Sequence, residues 1–225
     1  MNELNKKAFG GLLFFIIALS LLLFIPVWTF AYWQAWVFLI TLSICVFAIT
    51  MYLAFYDPAL LQRRVMAGAI AEKDKKQKLI QFIAQIAFAL VIIIPSLDHR
   101  FSWSHVSTPI SLIGDVLVVL GLLIVFFVFK ANTFTSAIIE VDKKQQVVSE
   151  GPYAIVRHPM YAGAMLMLFG VPLALGSLWG LTAFLFITLV IIWRLLDEEK
   201  YLEKNLKGYR EYENKVRYRL VPLLF

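Results

Sequence analysis

Charged and rigid residues gather at one point of an otherwise apolar chain, in the stretch GPYAIVRHPMYAG from Gly151 to Gly163. Pro159 fixes its own φ, lacks an N–H and pushes His158 out of helical backbone, so the stretch predicts a helix that begins at Pro159. The first N–H groups of such a helix have no intrahelical partner. Beside Arg157 and His158 they can receive a small anion such as a carboxylate or phosphate. A loop whose Arg and His only anchor a helix end is the plainer reading of the same residues. A second concentration begins at Arg194 in WRLLDEEKYL and runs to GYREYENKVRYRLVP. Arg194 and Glu198 stand four residues apart, on one helix face and within reach of an ion pair. A surface salt bridge would account for that pair alone. The crowding of Asp197, Glu198 and Glu199 where an apolar run ends calls for positive charge nearby.

The elements that must position these residues are membrane helices. Of 225 residues, 61% are hydrophobic and the mean hydropathy is +0.78, against roughly 45 to 50% apolar residues in a soluble domain. The fold expected is all-α, an integral membrane helical bundle with a C-terminal helical hairpin and a small cytoplasmic cap. Apolar runs of spanning or near-spanning length cover about Phe9 to Phe30, Trp33 to Phe55, Leu79 to Leu97 and Ile110 to Phe129. A last block, Tyr161 to Leu196, is long enough for two short helices if the chain turns at Leu175-Gly176-Ser177-Leu178-Trp179-Gly180. That makes six spans. The first run follows Lys6 and Lys7 but has no small-x-small cleavage pattern and leads straight into the second, so it reads as a retained helix. The chain divides into N-terminal helices over residues 1–130 and a site-bearing region over 131–225.

With both termini taken as cytoplasmic, every Lys and Arg except Arg100 falls on the inner side. The net charge of +6 is then explained by topology and attraction to anionic lipid, and no nucleic-acid partner is implied. A bacterial inner membrane is the expected location. Cys45 is alone within the second run, which excludes a disulfide framework and a cysteine-based metal site. The basic loop from Asp57 to Lys78, with its AEKDKKQK run, reads as a solvated membrane-surface segment. The loop from Asp98 to Pro109 carries His99, Trp103 and His105, but no third ligand stands at a useful spacing, so it reads as interfacial and no metal site is expected. Asp115 lies just inside the fourth run, where a structural carboxylate able to reach the interface is the preferred reading of an intramembrane acid. No glycine-rich nucleotide loop of either common type occurs.

The turn at Gly176 to Gly180 returns the chain after one short span, which should bring Tyr161 and the Arg194 to Glu199 segment to the same membrane face. The combination now has a parallel. GPYxxVRHPMYxG, followed one hairpin later by RxxxEE, then by GYxxY and an R-x-x-P ending, resembles the isoprenylcysteine carboxyl methyltransferase family, itself related to the membrane phospholipid methyltransferases. The resemblance covers about Asn132 to Pro222. It implies S-adenosylmethionine as cofactor, bound by Gln145, Gln146, Val147, Val148, Tyr153, His158, Pro159, Met160, Tyr161 and a glutamate of the pair Glu198 and Glu199. Glu198 is preferred because it keeps the spacing to Arg194. The resemblance further implies a catalytic pair of Arg194, at the acceptor, and Glu198. Gln145 stands where the family often has a histidine, and the spacing from the acidic pair to Tyr209 is one residue shorter than the family pattern.

The residue chemistry agrees with what the resemblance implies. Tyr153 and Tyr161 can offer ring faces to a sulfonium, a contact of about 0.5 to 2 kcal/mol, and Glu198 can accept from ribose hydroxyls. A carboxylate acceptor is ionised at neutral pH and needs no base, whereas a lipid amine needs one, for which Glu198 or Glu199 would serve. The expected activity is methyl transfer to a lipid-borne acceptor, a carboxylate in first place. The alternatives are a phospholipid N-methyltransferase, an NADPH-dependent membrane reductase, or a noncatalytic membrane subunit or transporter. A transporter would more often show polar residues at mid-span in matching halves.

Overall fold

The computed structural model describes residues 3–65, 72, 74–135, 137–139, 145–223 and 225. Among them there are helices and no strands. In chain order these are α1 Glu3–Val27, α2 Trp33–Tyr56, α3 Pro58–Val65, α4 Lys75–Phe101, α5 Thr108–Ala131, α6 Pro159–Ala174, α7 Gly180–Asn205 and α8 Tyr209–Lys215, with a single 3-10 turn at Gly151–Ala154 before α6. Five of them, α1, α2, α4, α5 and α7, are long and apolar enough to cross a membrane. The sixth apolar helix, α6, has 16 residues, fewer than the roughly 20 a full span needs. Large apolar side chains such as Phe14, Ile44, Leu120 and Leu189 point outward from the long helices, as a lipid-facing surface requires.

Local chemistry sets several boundaries. α3 begins at Pro58 under the Asp57 side chain, which accepts from the Leu60 N–H at 3.0 Å. Asp74 caps α4 by accepting from Lys76 N at 2.8 Å and Gln77 N at 3.0 Å. Such a cap contributes about 1 kcal/mol. α6 begins at Pro159 and the chain turns between Ala174 and Gly180, both as the sequence predicts.

Three expectations need correcting. α4 continues to Phe101, so Asp98, His99 and Arg100 are helical, not loop. The Asp98 carboxylate accepts from the Ser104 backbone N–H at 2.7 Å and from the hydroxyls of Ser104 and Ser177, and these bonds tie the helix end to the next segment. α7 has 26 residues rather than the length of a short span, because it runs past its apolar part into the charged DEEKYLEKN segment. The AEKDKKQK run is not simply solvated, since Glu72 is 3% and Gln77 4% exposed while Lys75, Lys76 and Lys78 face outward.

α5 and α6 are antiparallel neighbours in backbone contact. Gly121 faces Gly163, and seven residues away on each helix Gly114 faces Gly170, so a Cβ at any of the four would run into the opposite helix. Small residues of this kind let helices approach closely where lipid offers no hydrophobic drive for association. The shared core of α1, α2, α4, α5, α6 and α7 includes Leu23, Phe38, Val91, Val118, Val171 and Ile187. A separate small core of Leu206, Tyr209, Tyr212 and Val216, packed with Val147, Tyr153 and Leu202, forms the cap over the end of the bundle that carries the N-terminus of α6.

Candidate functional site

The short turn before α6 places the first site residues. Gly151 sits at φ +59°, a backbone region that glycine enters without strain, and the chain then winds through Tyr153 toward Arg157 and His158. The backbone N–H groups of Arg157 and His158 donate to the carbonyls of Tyr218 at 2.8 Å and Arg219 at 2.9 Å. The C-terminal segment thus holds the entrance to α6. Ala162 N is the donor that closes onto His158 O at 3.1 Å, so the N–H groups of Met160 and Tyr161 precede the first intrahelical bond. Tyr212 Oη donates to Tyr153 O at 2.7 Å, and Tyr153 Oη accepts from Asn132 Nδ2 at 3.2 Å. Burial pushes the hydroxyls of Tyr153, Tyr209 and Tyr212 up from their ordinary range, which keeps all three protonated.

Between the cap and the ends of α5, α6 and α7 lies a cleft of about 800 Å³ including its open mouth. Gln145, Gln146, Val147, Val148, Tyr153, His158, Pro159, Met160, Tyr161 and Glu198 all line it. The hairpin therefore does bring Tyr161 and the α7 acidic segment together. Arg194, Glu199 and Asp115 are not on the cleft wall. Residues that the sequence reading did not assign to the site also line it, among them Asn132, Thr135, Leu202, Tyr209 and Tyr212. The GYxxY spacing was the available signal for the last two: three residues on one short helix turn both rings to the same side. Asn132 and Thr135, in the α5 to α6 connection, had no such signal.

Beyond the wall, hydrogen bonds pass from one helix to another. Tyr161 Oη donates to Glu198 Oε2 at 2.6 Å and accepts from Arg194 Nε at 3.2 Å. The direct Arg194 to Glu198 ion pair expected from their spacing is replaced by this tyrosine between them. The direct ion-pair partner of Arg194 is instead Glu72, whose Oε1 lies 2.7 Å from Nη2. Gln77 Oε1 accepts from Arg194 Nη1 at 3.3 Å, and the other end of the same amide donates to Asp197, which also pairs with Lys76. The start of α4 is thus fastened to α7 at the site.

Glu199 serves a different group of residues. Its carboxylate accepts from Arg157 Nε at 2.8 Å and Arg219 Nε at 2.7 Å, with His158 Nε2 at 3.3 Å. Arg157 also lies 3.8 Å from Glu213. Arg157 also lines the cleft, and its guanidinium joins the loop before α6 to α7 and α8. Among the described residues no group of His, Cys, Asp and Glu is arranged to hold a metal. His99 instead stacks on Tyr32, ring centroids 4.0 Å apart.

The region that builds the cleft is the region with known relatives. The phospholipid methyltransferase family model matches residues 110–208, from the start of α5 to the residue before α8. Over that region the chain is similar to the phospholipid methyltransferases. Two relatives, from Oryza sativa subsp. indica and Oryza sativa subsp. japonica, are each described as a probable protein-S-isoprenylcysteine O-methyltransferase. Each is 24% identical over 149 residues, which is 60% of this chain and 73% of the relative. The matched family segment contains all the residues expected at the site from the sequence, from Gln145 to Glu199.

Proposed function

We propose that this protein is a membrane methyltransferase that uses S-adenosylmethionine and acts on a lipid-borne carboxylate, with its site at the cytoplasmic face. The observation that carries the reading is the cleft at the head of α6, where an acidic side chain, tyrosine rings and a helix N-terminus converge beside a buried arginine. Tyr209 adds a test of fit, because it lines this cleft and its hydroxyl is buried without a hydrogen-bond partner among the described residues. Such a group ordinarily has a partner, and a polar ligand in the cleft would supply it.

The residues divide the work by their chemistry. Glu198 has two oxygens and can accept from a ribose hydroxyl while still accepting from Tyr161. The first turn of α6 suits the carboxylate of the amino-acid end, and Tyr153 and Tyr161 border the space where a sulfonium would lie. When bound, S-adenosylmethionine supplies a methyl group that is already electrophilic. The protein has chiefly to align the reactants and keep water away. Arg194 would hold an acceptor carboxylate by charge-assisted hydrogen bonding, which fixes one oxygen toward the cleft. A carboxylate is ionised at neutral pH and needs no general base. The cytoplasmic placement is supported by the concentration of Lys and Arg at the end of the bundle that carries the cleft.

Calorimetry on the detergent-solubilised protein should give an affinity for S-adenosylmethionine or its demethylated product in about the micromolar range. Incubation of membranes with methyl-labelled donor should place label in a base-labile ester. Label confined to phospholipid headgroups would assign the acceptor as an amine.

A further inference from the structure

Four hydrogen bonds hold the Arg194 guanidinium. Its Nε is committed to Tyr161, Nη1 to Gln77, and Nη2 both to Glu72 at 2.7 Å and to the Ala137 carbonyl at 3.3 Å. Tyr161, Gln77 and the carbonyl are neutral partners, so the direct ion-pair partner of this guanidinium is Glu72. The pair is deeply placed, with side chains 10% and 2% exposed. It also adjoins the cleft, since Tyr161 lines it and bonds Arg194, while Ile139 lines it and donates its backbone N–H to Glu72 Oε2 at 3.3 Å.

We propose that Glu72 is a built-in occupant of the acceptor site, its carboxylate holding Arg194 where the acceptor's carboxylate binds, so that the acceptor enters by displacing it. The inference rests on the reading of Arg194 as the acceptor's clamp, and it deepens that reading by fixing the acceptor's class. Exchange of one carboxylate for another leaves the charge beside Arg194 unchanged and keeps the guanidinium paired throughout. Without a pair, a buried guanidinium is strongly destabilising. An ammonium headgroup arriving in the same place would put a second cation beside Arg194. The site therefore selects an anionic acceptor, and Glu72 sets how strongly it must bind.

The competition is measurable. If Glu72 holds Arg194 nine-tenths of the time, its removal should raise the apparent acceptor affinity about tenfold. The test uses the full chain in detergent, labelled S-adenosylmethionine as donor and N-acetyl-S-farnesylcysteine as acceptor, with wild type, Glu72→Gln and Glu72→Asp compared. Donor affinity measured on each variant establishes that it is folded. The expected result is a KM for the acceptor about tenfold lower in Glu72→Gln and lowered by a smaller factor in Glu72→Asp, with donor affinity unchanged. Glu72→Asp retains the charge and so remains informative if Glu72→Gln does not fold. An unchanged or raised KM in the folded variants, with normal transfer by wild type, would overturn the competition and leave Glu72 a structural partner. Transfer by wild type to phosphatidylethanolamine vesicles and none to the carboxylate probe would instead overturn the carboxylate reading, and the inference would fall with it.

Discussion

Buried acids gather at both ends of this helical bundle, and the company they keep differs. At the end of α4, Asp98 is satisfied by the Ser104 amide and by the hydroxyls of Ser104 and Ser177, all supplied by the segments that follow α4 and α6. Nearby, Tyr32 donates to the Leu175 carbonyl at 2.6 Å. These bonds close on themselves and join helix ends. At the other end, Glu72, Glu198 and Glu199 face guanidinium groups, an imidazole and a tyrosine, and Glu198 borders an open cleft. Neutral donors in a closed knot give rigidity. Fixed charges beside a cavity give something a ligand can exchange with.

The largest effect expected from this contrast is at Arg194. Arg194→Lys retains the charge and loses the planar fork, so turnover should fall by about two orders of magnitude while donor affinity stays near wild type. Donor calorimetry and labelled transfer on the same preparation read the two halves of that statement. Should Arg194→Lys keep most of its turnover, the guanidinium is only a strut and the two ends of the molecule are more alike than described.

Next in size is Glu198→Ala, which should cost about 1.5 to 3 kcal/mol in donor affinity through loss of a charged hydrogen bond. The corresponding change in the opposite knot, Asp98→Ala, should lower thermal stability by about 1 to 3 kcal/mol because it leaves buried donors unpaired. Its donor affinity should not change. A loss of donor binding in Asp98→Ala, measured below its melting temperature, would mean that the far knot also shapes the cleft. Smallest of all should be Lys75→Ala on the exposed side of α4, within about 0.5 kcal/mol in both melting and binding.

Local signals made much of this legible from sequence. Pro159 marked the start of α6, and the glycines between Ala174 and the next apolar run marked the turn that returns Glu198 to Tyr161. The motif run from Gln145 to Tyr161 marked one wall of the cleft. What stayed hidden are choices of partner across the chain. Spacing offered Arg194 a neighbour at Glu198, but the tertiary fold interposes Tyr161 and brings Glu72 from 122 positions away. A charged run that looks solvated by composition turned two of its members, Glu72 and Gln77, inward because a buried guanidinium waited there. Neighbouring glutamates 198 and 199 parted in the same way. Successive helical residues point about 100° apart, so one faces the cleft and the other the ion cluster of Arg157 and Arg219.

The most direct test of the central claim is calorimetric titration of the purified, detergent-solubilised chain with S-adenosylmethionine, its demethylated product and NADPH in parallel. Saturable binding of the sulfur compounds at about micromolar affinity, weakened in Glu198→Ala and absent for NADPH, is the predicted result. Binding of NADPH with no response to either sulfur compound would contradict the account and assign the cleft to reductive chemistry.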